Sequence, residues 1–276
     1  MSDSPEYIIR PPSKFSLNLG ELWAYRELFY FFTWRDIKVK YKQTVLGILW
    51  AILQPVMMMV VLTLVFGQAL GVESDGMPYP IFVYSGLLLW NVFSSGLTNA
   101  ANSMVDNAEM IKKIYFPRLI IPMSAILVAA FDFLIALLVY VGLLVYFQQS
   151  VDIGKIFVFL PLSLLLTIIT TFGLGCLLAA FNVKYRDFRY IVPFFIQFLL
   201  FVNPVMYSTS IFKSDLAQYL IALNPMAGAI NMSRFAFIDT PIRWELISIS
   251  TASAVVLLIL GIYTFRKMEA YFADIA

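Results

Sequence analysis

Two stretches of 25 residues, Leu46–Leu70 and Pro80–Met104, contain no charged residue at all. A helix of that length reaches about 37 Å, enough to cross a hydrocarbon core of about 30 Å with some tilt. Four more apolar runs follow at 119–147, 156–181, 190–207 and 246–265, and Asp132 is the single ionisable group deep within one of them. Hydrophobic residues form 61% of the chain and charged residues 13%, against roughly 45–50% and about 25% in soluble domains. A soluble core could not use that much apolar surface. The sequence therefore predicts one all-α polytopic membrane domain with six transmembrane helices over residues 1–276.

Charge distribution orients it. Of the nineteen Lys and Arg residues, fifteen fall in the N-terminal segment, the 105–118 bridge, the 182–189 loop and the C-terminus, and four in the alternating loops. That bias predicts both termini in the cytosol. Residues 1–18, with Pro5, Pro11 and Pro12, read as a loose tail without the early apolar core of a cleaved signal, so the first span would serve as the insertion signal.

From 19 to 43 aromatic and basic residues alternate at helical spacing. Trp23, Tyr30, Trp34, Ile37 and Tyr41 share a face that Leu22, Phe29 and Phe32 widen, while Arg35, Lys38 and Lys42 fall at i, i+3 and i+7. This pattern suits an amphipathic helix lying in the membrane interface, although the alternation over 37–42 also allows a short extended piece. In the first span Pro55 is expected to kink the helix. In the second, Asn91, Ser94, Ser95, Thr98, Asn99, Asn102 and Ser103 make the later half polar, so it should face protein or water. In the fourth, Thr167, Thr171, Gly175 and Ala179 recur every fourth residue, a small-residue stripe for close helix approach within the chain or to a second copy.

Chemistry is scarce. There is no His, the lone Cys176 lies in an apolar run, and Gly154-Lys155 lacks the upstream glycine of a phosphate-cradling loop. No catalytic residue and no metal site is expected, and any ATP and Mg would be bound by another chain. A charged Asp at a helix centre costs about 2.5–3.5 kcal/mol on insertion scales, so Asp132 needs a partner or a wet cavity. It could relay protons or hydrogen-bond to a neighbouring helix. A proton carrier would usually show several such groups, which favours the second.

The bridge NSMVDNAEMIKKIYFPRLIIP at 102–122 concentrates Asp106, Glu109, Lys112, Lys113 and Arg118 between two spans. Asp106 or Asn107 should cap a helix that Pro117 ends after Phe116. Met110, Ile111, Ile114 and Tyr115 would form its apolar face, and Glu109 precedes Lys113 by four residues. Such a short two-faced helix fits a socket on a cytosolic partner. The connection 208–245 contains two half-apolar pieces divided by Asn224-Pro225: Leu216, Tyr219, Leu220 and Leu223 form one stripe, Met226, Ala229, Ile230 and Phe237 another. Both are too short to span, and two outer re-entrant helices are expected, with an external loop as the alternative.

Three stretches, RDIKVKYKQTVLGILWAILQP at 35–55, NAEMIKKIYFPRLIIP at 107–122 and LNPMAGAINMSRFAF at 223–237, resemble the permease subunit of ABC-2-type polysaccharide and polyol-phosphate ABC exporters. The resemblance implies an interface helix carrying Trp23, Tyr30, Trp34, Arg35, Lys38 and Lys42. It implies a coupling helix at Asn107, Glu109, Met110, Ile111, Lys112, Lys113, Tyr115, Phe116 and Pro117, seated in a separate ABC ATPase subunit. Outer gate helices would carry Leu216, Tyr219, Asn224, Pro225, Met226 and Arg234. A second copy of the chain, a lipid-linked polysaccharide such as O-antigen, membrane lipids and a bacterial inner-membrane location follow, and nucleic acid does not. The competing readings are a proton-coupled carrier using Asp132 and a non-transporting membrane assembly scaffold.

Overall fold

The computed structural model describes residues 19–42, 47–185, 187–237 and 242–275. The expected tail at 1–18, the residues Gln43 and Leu46 at the expected edges of the first two helices, and Arg186 lie outside them. Eleven α-helices are present among the described residues, and no strand. They are α1 (Leu19–Ala24), α2 (Arg26–Lys42), α3 (Leu49–Leu62), α4 (Tyr79–Asp106), α5 (Ala108–Lys113), α6 (Ile120–Tyr146), α7 (Ile153–Lys184), α8 (Phe188–Val202), α9 (Asp215–Ala222), α10 (Pro225–Arg234) and α11 (Trp244–Ile275).

The bundle is built around α4, which touches α3, α6, α7, α8 and α10. Its polar half is only partly buried, and several of its side chains turn back onto the helix. Ser95 donates to the Asn91 carbonyl at 2.6 Å, Thr98 to Ser94 at 2.8 Å and Asn102 to Thr98 at 3.0 Å. The small-residue stripe of α7 lies against this helix of the same chain. A Cβ added at Gly175 would stand 2.8 Å from the Ala100 methyl, and one at Gly96 would stand 3.0 Å from Thr171 Cγ2. Thr167 and Thr171 again satisfy themselves on carbonyls one turn back. Another face of α7 meets α11, where Gly173 and Gly261 bring the two backbones into direct contact.

Among the described residues five helices are long and apolar enough to cross a membrane: Leu49–Ala69, Tyr79–Asp106, Ile120–Tyr146, Ile153–Lys184 and Trp244–Glu269. The expected fifth span is different. α8 has only 15 residues, about 22 Å, and the helix stops at Val202 ahead of Pro204, as expected for the residue before a proline. Yet Arg189 at its start pairs with Asp106 at one end of α4, and the Met206 carbonyl beyond it accepts from Tyr79 at the other end. A helix plus the bent stretch 203–206 thus makes contact with both ends of α4. In the first span the helix begins at Leu49, and it loosens to a π-helix over Thr63–Ala69 rather than at Pro55.

α2 is helical through Lys42, so the extended alternative for 37–42 does not occur, and a turn at Tyr25 separates it from α1. Asn224-Pro225 divides α9 from α10 as expected, with the Asn224 side chain accepting from the Met226 amide at 3.1 Å. The two stripes behave oppositely. Met226, Ala229 and Ile230 are buried in the bundle, whereas Leu216, Tyr219, Leu220 and Leu223 face outward.

Candidate functional site

α4 runs through Asp106, and one residue, Asn107, joins it to α5. Neither expected cap forms. Asp106 belongs to α4, and Asn107 makes no cap bond. Its side chain donates instead to the Ser103 carbonyl at 2.8 Å and accepts from Arg35 Nη2 at 3.0 Å. The bridge helix is six residues long and gives way to extended backbone at Ile114, three residues before Pro117. This is earlier than predicted, because Ile114 to Phe116 are drawn out to bury Phe116 against Phe32 of α2, ring centroids 5.6 Å apart.

The predicted apolar face of the bridge is therefore divided. Ile111 is buried and Met110 packs beside it, but Ile114 and Tyr115 are each 60% exposed. Lys112, Lys113 and Glu109 are exposed with them. The Glu109–Lys113 pair closes at 3.6 Å, a contact worth little in solvent. Residues 111–116 and Arg118 frame a shallow hollow of about 180 Å³. Its flanks are fixed: Phe116 and Pro117 are buried, and Arg118 donates to the Glu269 carbonyl of α11. The result is an exposed apolar and basic knuckle on a firmly held base.

From that base α2 runs along α6. Phe32 meets Phe116 near the start of α6, and nine residues later Tyr41 meets Phe131, centroids 6.0 Å apart. There Asp132 finds its partners: Lys40 and Tyr41 both donate to its carboxylate. Burial, then the hydrogen bond to this carboxylate, raises the Tyr41 phenol, so it stays protonated and a donor. Two cavities flank Lys40. One of about 120 Å³ holds Gln54, Asn91, Ser94 and Asp132; the other, about 660 Å³, holds Arg35, Asp36, Asn99 and Asp106. Lys40 and Ser95 line both, making a polar groove along the polar half of α4.

Of the expected interface residues, Trp23, Tyr30 and Trp34 are exposed and Phe32 is buried, so the aromatic face splits into two. Lys38 lies over the Trp34 ring at 5.2 Å and Lys42 is exposed, but Arg35 turns inward to Asn107. Lys40 lay outside the Arg35, Lys38, Lys42 set and was not predicted. The signal that could have found it is the lone carboxylate deep within a span, which requires a cation adjacent to that span.

The opposite end of the bundle is separated from α5 by the length of α4, about 42 Å. Arg234 is wholly buried there, its ring-facing guanidinium 3.6 Å from the Phe82 centroid. It donates to Ser85 Oγ and to the carbonyls of Phe82, Pro204 and Val205 at 2.8–3.2 Å. Gly86 makes room for it. Asn224 donates to Asn203 Oδ1 at 2.9 Å, tying α9 and α10 to the end of α8. Among the described residues no cluster of His, Cys, Asp and Glu could hold a metal ion. The arrangement offers surfaces, grooves and tethers suited to moving helices against each other.

Comparison with known proteins identifies the family. The chain is 29% identical to the O-antigen export system permease protein RfbA of Klebsiella pneumoniae over 95% of its own length and 98% of that protein's. It is 30% identical to the protein of the same name in Myxococcus xanthus, over 86% and 91%. With the polysialic acid transport protein KpsM of Escherichia coli it shares 25% over 85% and 91%. Residues 27–238 match the family profile of the ABC-2 type transporter, and the chain belongs to that family.

Proposed function

We propose that this chain is the membrane-spanning subunit of an exporter that moves a lipid-linked polysaccharide across a bacterial inner membrane, driven by ATP hydrolysis in a separate ABC subunit. The observation that carries the reading is the knuckle at 112–115. It leaves two large apolar side chains and two lysines outside, while its base is tethered to two other helices: by Asn107 and Phe116 to α2 and by Arg118 to α11. Force applied there by a docked ATPase would reach α2, and through Lys40 and Tyr41 the groove beside Asp132. The relatives named for O-antigen and polysialic acid export support the glycan class.

In this reading α8 and the stretch to Met206 complete a sixth crossing, and the charge bias puts α5 and both termini in the cytosol. The outward stripe Tyr190, Phe194, Phe198 and Phe201 on α8 faces a second copy and gives the sugar chain aromatic surfaces to slide on. α9 and α10 form the outer gate. An Asp132 held by Lys40 and Tyr41 is a tether rather than a free proton carrier, which weighs against the carrier reading.

The test is reconstitution of the chain with its ATPase in liposomes loaded with lipid-linked glycan. Translocation should need ATP and vanish when the ATPase is made catalytically dead. Movement driven by a proton gradient alone would establish the carrier, and none under either condition would leave a scaffold.

A further inference from the structure

At the end of the bundle opposite α5 lies a half-open cavity of about 340 Å³, walled by the turn at 208–210, α9, α10 and the first turns of α11. Asp75, from the loop before α4, stands at its edge. Volumes near the low end of the ~300–1,000 Å³ range of ligand pockets suit roughly one or two sugar rings, not a polymer.

The lining narrows the class. Hydroxyls and amides dominate the polar wall. Ser210 donates to Asp75 at 2.9 Å and lies 2.8 Å from Ser208 Oγ, and Asn231 donates to Thr209 at 3.3 Å. Such groups both give and accept hydrogen bonds, as sugar hydroxyls do. Ile221, Ile247 and Phe235 supply an apolar wall for the C–H face of a ring.

Two arginines also border the cavity, and both are already engaged by protein acceptors. Arg234 spends its donors on three carbonyls and Ser85. Arg243 sits between Asp215 at 3.2 Å and Glu245 at 3.7 Å and donates to Gln218. Asp75 adds a carboxylate at the edge of the cavity, which a phosphate or acidic sugar would meet as like charge.

We infer that this cavity binds a neutral, polyhydroxylated glycosyl unit of the exported chain as it leaves. The inference rests on the exporter reading and assigns that reading a second contact, within one subunit and remote from the groove beside Asp132.

The test is site-specific photocrosslinking in cells making and exporting their own glycan, with Asn231→azidophenylalanine and, separately, Gln218→azidophenylalanine in the full chain. Leu220→azidophenylalanine, on the outward face of α9, is the control. Light should produce a glycan-staining adduct at 231 or 218 at least ten-fold above that at 220. Mass spectrometry of the digested adduct should read a neutral glycosyl unit. Absence of an adduct at both positions while export continues would overturn the site, as would an adduct equally strong at 220 or one carried on a phosphate-bearing or acidic unit. Glycan export that persists without this chain would instead overturn the exporter reading.

Discussion

The ammonium of Lys40 on α2 donates to the carboxylate of Asp132 on α6, 92 residues further along the chain. The two partners are unequally sheltered, Lys40 being 41% and Asp132 19% exposed at the side chain. Loss of either should therefore differ. Asp132→Asn leaves a cation that water can still reach, costing about 1 kcal/mol. Lys40→Met strands the more buried carboxylate and should cost about 2–3 kcal/mol, with the double substitution recovering part of that loss. Thermal unfolding of the three variants in detergent checks this, at about 2–4 °C per kcal/mol for a chain of this size. Equal and additive single effects would mean that the two groups are not coupled.

The knuckle on α5 makes a separable prediction. Lys112 and Lys113 are exposed, so Lys112→Glu with Lys113→Glu should change the chain's own stability by no more than about 0.5 kcal/mol. If the proposed exporter reading holds, its effect belongs to docking: an ABC ATPase partner should lose its stimulation by the permease and copurify poorly, while the permease still accumulates in the membrane. Normal stimulation and export in the double variant would remove the knuckle from the coupling role.

What the sequence revealed and what it hid divide along a physical line. Apolar length exposed α3, α4, α6, α7 and α11, and the Asn224-Pro225 step exposed the break between α9 and α10, because these are local properties of chain and solvent. The direction of an apolar stripe was not local. In water an apolar stripe turns inward, but beside lipid it can turn either way. Hence Met226 and Ile230 went into the bundle while Leu216 and Leu220 went out. The cap expected at Asn107 failed for a related reason. A side chain that could bond its own backbone met Arg35 from 72 residues away, and no periodicity reports such a partner.

Arg234 and Gly86 test the far end. A methyl at Gly86 would stand 3.0 Å from Arg234 Nη2 and 3.1 Å from the Val205 backbone, so Gly86→Ala must push the guanidinium off its acceptors. Arg234→Lys keeps the charge but loses the planar fork that reaches four acceptors and lies over Phe82. Buried carbonyls left without donors cost about 1–3 kcal/mol each, so the Lys variant should lose at least about 2 kcal/mol. Melting of purified protein reads both, and a Lys variant as stable as the parent would show that charge alone holds the segment.

The crossing of α7 and α11 offers a prediction with two opposite signs. A Cβ on Gly173 would lie 2.7 Å from the Leu258 backbone nitrogen and Cα, and one on Gly261 would run into the Gly173 carbonyl. Backbone cannot swing aside as a side chain can, so Gly261→Ala must part the helices. Gly142 in α6 has nothing within 4 Å of its added methyl, and there Ala should stabilise by about 0.5–1 kcal/mol through helix propensity and a less flexible unfolded chain. Gly261→Ala should lower the melting temperature by several degrees and Gly142→Ala should raise it slightly. A second consequence separates packing from coupling. α11 carries the Glu269 carbonyl that receives Arg118 at the bridge, so displacing α11 should also weaken ATPase stimulation, and Gly142→Ala should leave stimulation as it was. If Gly261→Ala melts early yet stimulates normally, the α11 tether takes no part in transmitting motion from the bridge.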